Sequence, residues 1–120
     1  MTNPSTLPRQ NFDQLRRLER ERPGLMKEVI RLFVVDAPKQ MRLIGSAYAK
    51  RDPEGVRQSA HFLRSGALVL GLGWLAEQSK VFEHLEFDQY GSEEADSILA
   101  ELRAELHAVL LALLGELKDA

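Results

Sequence analysis

Apolar side chains in this chain recur at spacings of three and four residues, and nowhere do they alternate with period two for long enough to argue a strand. Phe12, Leu15 and Leu18 mark one face of a short helix that Pro23-Gly24 closes. From Leu25 to about Lys50, Met26, Val29, Phe33, Ala37, Ile44 and Tyr48 describe a second helix, kinked or broken at Pro38. Asp52-Pro53-Glu54 is a start signal: an N-cap acid, a proline at the first helical position and an acid in the first turn. The third helix should run to about Leu70, where Gly71 and Gly73 permit the chain to turn. Leu75, Phe82 and Leu85, helped by Trp74 and Val81, describe a fourth that ends before Asp88. Ser92 caps a last long helix with Glu93 and Glu94 in its first turn and a stripe of Ile98, Leu102, Leu106, Val109, Leu113 and Leu117. The spacing predicts an all-α fold, an up-down-up-down four-helix bundle with the short extra N-terminal helix covering one end. Residues 1–10, with Pro4 and Pro8 among Thr, Ser and Asn, read as a disordered lead-in, and residues 11–120 as a single helical domain.

Composition narrows the function classes. The 120 residues are one domain's worth, small for an enzyme with a deep substrate cleft. With 44% hydrophobic and 28% charged residues the chain reads as a soluble globular protein, and a formal net charge of -2 argues against a dedicated nucleic-acid or polyanion binder. The absence of cysteine excludes disulfides, thiolate zinc sites and cysteine nucleophiles. Neither a signal segment nor an apolar stretch of bilayer length is evident, although His107 to Leu117 is greasy, so a cytoplasmic, membrane-free protein is expected.

The chemistry concentrates on the third helix. At about 100° per residue, Val56, Ala60, Leu63, Ala67 and Leu70 cluster within about 40° of a common direction, while His61 points about 140° away from it. Arg57, Arg64, Ser65 and Leu68 share the side of His61, which places a cation one turn from it and a small residue beside it. A solvent-exposed imidazole is largely unprotonated near neutral pH and offers a nucleophilic ring nitrogen without a general base. The chain has no glycine-rich phosphate loop, no carboxylate pair beside the histidine for magnesium and no nucleotide signature, so metal and acid groups for phosphoryl transfer would have to come from a partner.

The run Ala60-His61-Phe62-Leu63-Arg64, followed by Ser65-Gly66 and by Leu70-Gly71-Leu72, resembles the phosphorylation motif of histidine-containing phosphotransfer (HPt) domains of two-component phosphorelays: Ala-His-x-Leu-Lys, then Gly-Ser, then Leu-Gly-Ala. Leu32-Phe33-Val34-Val35-Asp36-Ala37-Pro38 is similar to that family's Phe-x-x-Asp-x-Pro element, Arg51-Asp52 resembles the acid before its histidine helix, and the likeness spans Phe12 to Glu86. The resemblance implies His61 as phosphoacceptor, Arg64 as the phosphate-contacting cation in place of the family's lysine, and Ser65 as the small neighbour on the approach path, where the family's Gly-Ser order is inverted. It further implies a phosphocarrier rather than an enzyme. Such a carrier takes the phosphoryl group from a receiver-domain aspartyl phosphate, or works with a hybrid sensor kinase, and hands it to another receiver. No cofactor of its own is expected, Mg2+ sitting on the receiver. Arg57, Gln58, Phe62 and Leu68 are the expected partner contacts of a monomeric protein.

Plainer readings stand beside these. Arg57 and Arg64 could pair with Glu54 or Glu77 as solvated surface cations. His84 and His107 sit singly on other helices, with Glu83 and Glu86 near the first, and would bind metal only if the bundle gathered them. Trp74, Val81 and Leu85 read as core. The alternative function is an adaptor bundle that binds a receiver or kinase without phosphotransfer, or that self-associates through Leu110, Leu111 and Leu114.

Overall fold

The computed structural model describes residues 13–119, and within them the chain is all-helical. Its elements are α1 (Asp13–Glu21), α2 (Leu25–Ala49), α3 (Pro53–Val69), α4 (Gly73–Glu83) and α5 (Glu93–Asp119), with a single 3-10 turn at Phe87–Gln89. The lead-in expected over residues 1–10 and the apolar Phe12 lie outside the described residues. Helix α3 packs against α2 on one side and α4 on the other, α5 closes the bundle against α2 and α4, and α1 lies on α2.

The helix boundaries follow from local chemistry. Gly24, at φ 93°, turns the chain from α1 into α2, and the carboxylate of Glu19 accepts hydrogen bonds from the Gly24 N–H at 3.0 Å and the Met26 N–H at 3.2 Å, satisfying donors that the helix start leaves over. Pro38 does not break α2. Met26, Ile30, Phe33, Ala37, Met41, Ile44 and Tyr48 are buried on both sides of it, and that continuous stripe outweighs the roughly 3 kcal/mol that an interior proline costs. Asp52 caps α3 through the Gly55 N–H at 3.2 Å with Pro53 at the first turn, and Gly71, at φ 73°, carries the chain away after Leu70. Helix α4 is shorter than its apolar pattern suggests. It ends at Glu83, and Val81 is exposed rather than core, while Leu85 and Trp74 are half-buried. The Ser92 hydroxyl caps α5 on the Ala95 N–H at 3.0 Å.

Buried residues form one core, to which α5 contributes Leu99, Leu102, Leu106, Val109 and Leu113, with Ile98 and Leu117 at its margin. Of the residues considered for self-association, Leu110 packs half-buried against that core, whereas Leu111 and Leu114 are exposed. Tyr48 ties the α2–α3 corner to the start of α5. Its hydroxyl donates to Asp96 Oδ1 at 2.7 Å and accepts from the Gly91 N–H at 2.9 Å, and its ring stacks on Tyr90 and meets Phe82 edge-on. Beside it Arg51, in the left-handed region at φ 53°, donates to the Tyr90 carbonyl at 2.9 Å.

Because Tyr48 is buried, Tyr48→Phe keeps the ring packing and strands the Gly91 N–H. A loss of about 1–2 kcal/mol is expected, read as a fall of several degrees in thermal melting with unchanged helicity.

Candidate functional site

Helix α3 buries Val56, Ser59, Ala60, Leu63 and Ala67. Its opposite side faces solvent, and there the His61 side chain is 52% exposed. With His61 as reference, Arg64 and Leu68 lie about 60° and 20° round the helix to one side, and Ser65, Val69 and Phe62 about 40°, 80° and 100° to the other. The first side adjoins α4 and the second adjoins α2.

From α4, Glu83 reaches across to the histidine. Its Oε1 lies 2.9 Å from His61 Nδ1, while its Oε2 accepts from Arg64 Nε at 2.7 Å and its Oε1 from Arg64 Nη2 at a longer 3.3 Å. The side chain of Glu83 is only 10% exposed, so these interactions are sheltered. The Arg64 guanidinium above all, together with the His61 contact, holds the Glu83 carboxyl below the usual carboxylate range against the opposing effect of burial. An ionised carboxylate can only accept, so Nδ1 of His61 donates its N–H to Glu83, which in the neutral ring leaves the lone pair on Nε2. The 3.5 Å approach of Arg64 Nη2 to Nδ1 then sets two donors side by side and is not a hydrogen bond. Nε2 makes no hydrogen bond among the described residues.

Of the pairings expected for the two arginines, that of Arg57 with Glu54 forms and that of Arg64 does not. Arg64 is bound to Glu83 rather than to Glu77, and Arg57 pairs with Glu54 on its own helix. Glu83, read from the sequence as a neighbour of His84, turns instead to α3, so one carboxylate does stand beside the histidine. His84, just past the end of α4, and His107 on α5 are both exposed, and among the described residues no cluster of three or more His, Cys, Asp or Glu is placed to hold a metal. Ser65 is exposed, as are Gln58, Phe62 and Leu68. It is Gly66, not residue 65, where packing demands a small residue: a Cβ there would stand 3.1 Å from the Phe33 ring of α2.

On the α2 side of His61, an apolar groove runs between α2 and α3, floored by Phe33, Gly66 and Leu70 and walled by Leu32, Val35 and Val69, with Glu28, Arg31 and Asp36 at its edges. Leu32, Val35 and Val69 are all more than half exposed. None of the three was singled out as a contact from the sequence, although Leu32-Phe33-Val34-Val35 carries the signal: four consecutive apolar residues cannot all face inward from one helix. Leu68 is exposed beside His61 but does not line this groove.

A family model described as the Hpt domain matches residues 28–116. The fold is similar to the crystal structure of histidine-containing phosphotransfer protein B (HptB) from Pseudomonas aeruginosa PAO1, with a TM-score of 0.81 at 19% sequence identity over 96% of this chain and 99% of that one. The sequence matches none of the curated proteins compared with it.

Since the folded state lowers the Glu83 pKa, the unfolded chain binds more protons in the acidic range. Stability from this carboxylate is therefore complete above the ordinary carboxylate range and is lost as pH falls through the folded pKa. Melts of wild type and Glu83→Gln should differ most near neutral pH and converge in acid; a gap independent of pH would contradict the ionised pairing.

Proposed function

The chain belongs to the Hpt domain family, and on that premise we propose that it is a histidine phosphotransfer protein that accepts a phosphoryl group on Nε2 of His61 and relays it between the partners of a two-component phosphorelay. The observation that carries this is the state of one ring: Nδ1 is held by Glu83 while Nε2 projects from a half-exposed side chain with its lone pair free. In the forward step Nε2 attacks the phosphorus of a receiver's aspartyl phosphate, the N–P bond forms, and the P–O bond breaks with its electron pair leaving on the receiver carboxylate. The chain is then a phosphocarrier, with Mg2+ and the acid groups supplied by the receiver. Arg64 serves as the phosphate cation, and Ser65 keeps the approach to Nε2 narrow but open.

The partner surface extends from His61 in both directions. The groove of Leu32, Val35 and Val69 lies on the α2 side of the histidine helix and is apolar at its centre with charges at its edges, as suits a receiver's apolar face. Phe62 and Leu68 add exposed apolar area, and Arg57 and Gln58 a polar margin. The short connections between the long helices support an up-down-up-down bundle. No helix among the described residues is long and apolar enough to cross a membrane, and we read the protein as a cytoplasmic monomer without affinity for nucleic acid.

Incubation with a phosphorylated receiver, or with a hybrid kinase and labelled ATP, should give an acid-labile, alkali-stable label that His61→Gln abolishes while its helicity stays that of wild type, the glutamine amide being able to donate to Glu83 in place of the ring. Label retained in that variant would exclude His61; receiver binding without any label would leave the adaptor. For docking, Val35→Asp and Leu68→Asp should each weaken receiver binding at least tenfold by titration calorimetry, whereas added salt should mainly slow association. Normal binding by Val35→Asp would remove the groove from the interface.

A further inference from the structure

We propose that Glu83 is a positioning residue that keeps the proton on Nδ1 of His61 through the whole transfer cycle, so that the phosphorylated ring stays a phosphoimidazolium at pH values where an unassisted phosphohistidine has lost that proton. The inference rests on His61 being the phosphoacceptor. When Nε2 takes the phosphoryl group, the ring already carries a hydrogen on Nδ1, so forming the N–P bond leaves it with a positive charge. A carboxylate oxygen 2.9 Å from Nδ1 faces that charge directly. The phosphoryl oxygens project from the opposite edge of the ring into solvent, roughly twice as far from Glu83. That repulsion is present whether or not Nδ1 holds its proton, so retention of the proton is governed by the near attraction between Glu83 and the charged ring.

Arg64 makes the arrangement workable on both sides of the transfer. Its Nε donates to Glu83 Oε2 at 2.7 Å and keeps the carboxylate ionised, whereas its Nη2 has only the 3.3 Å contact to Oε1. The guanidinium hydrogens that Glu83 does not engage can therefore meet a phosphoryl oxygen while Nε still holds Glu83. The surrounding charges do not compete for the ring. Arg57 is engaged by Glu54, Lys80 is exposed one turn before Glu83 on α4, and Asp36 of α2 lines the groove with no ion pair or hydrogen bond to the imidazole. In the onward step the N–P bond breaks and its electron pair returns to Nε2. From a phosphoimidazolium this releases a neutral imidazole still protonated at Nδ1; from the deprotonated ring it would release an imidazolide anion, a far poorer leaving group. Holding the proton thus keeps the stored phosphoryl group ready to leave into alkaline pH.

The test loads the full chain with phosphoramidate, which needs no receiver. It then follows the phosphohistidine 31P signal and phosphate release against pH, the signal being assigned by its absence from His61→Gln. Glu83→Gln retains an acceptor for the Nδ1 hydrogen but removes the charge, and Glu83→Ala removes both. The ring titration midpoint should fall by about one pH unit in each, with phosphohistidine several-fold longer-lived than in wild type on the alkaline side of the wild-type midpoint. Variants that melt earlier yet keep the wild-type midpoint and lifetime would show that Glu83 only fastens α4 to α3, and would overturn the inference while leaving the phosphotransfer reading intact. Failure of wild type to load on His61 would overturn both.

Discussion

The structure depends on how closely α3 can be approached from two sides. The residues it turns inward are mostly small, Ser59, Ala60 and Ala67 around Val56 and Leu63, so α2 and α4 both come in against it. On the α2 side the absence of a side chain at Gly66 lets the Phe33 ring sit against the α3 backbone. On the α4 side the approach lets Glu83, a residue of ordinary reach, touch both His61 and Arg64. A bulkier α3 would still be helical and amphipathic, but its histidine would lose the carboxylate and its flank would lose the groove.

The site is economical in charge. One sheltered carboxylate orients the imidazole, fixes its tautomer and restrains a guanidinium that is otherwise free to swing through solvent. Each bond reinforces the others: Arg64 keeps Glu83 ionised, an ionised Glu83 must accept from Nδ1, and in the neutral ring a protonated Nδ1 leaves the lone pair on Nε2. The arginine that stands where the resemblance implies a lysine fits this role, because a planar fork can hold a carboxylate through Nε and still present Nη2 elsewhere, which a single ammonium cannot do as well.

Docking and stability divide α2 lengthwise. One stripe, from Met26 through Phe33 and Ala37 to Tyr48, is core, and Leu32 and Val35 on the adjoining side remain in solvent beside the groove. Exposed apolar residues gathered along a groove carry a solubility cost and are the kind of surface that a partner covers. The C-terminal end of α2 is fastened by a different device, the buried Tyr48 hydroxyl between Asp96 and the Gly91 N–H.

Much of this was legible in the sequence because it is local. Helical spacing identified the helices, Asp52-Pro53 marked the start of α3 where the Asp52 cap forms, and the angular position of His61 placed it in solvent. The motif around His61 carried the family. Local signals were incomplete where tertiary contacts decided: they left open whether Pro38 breaks α2, which stays one helix because the buried stripe continues past it, and α4 stopped at Glu83 although apolar residues ran on to Leu85. Neither the partner of Arg64 nor the meaning of Glu83 could be read from spacing, since residues 19 and 22 positions apart meet only when two helices pack. The groove was hidden for the same reason, its walls coming from two helices and its floor from a glycine that matters only for the ring lying across it. The sequence by itself determined which residues could be helical and which histidine would face water; the packing of α3 against α4 decided which ring nitrogen of that histidine a carboxylate holds.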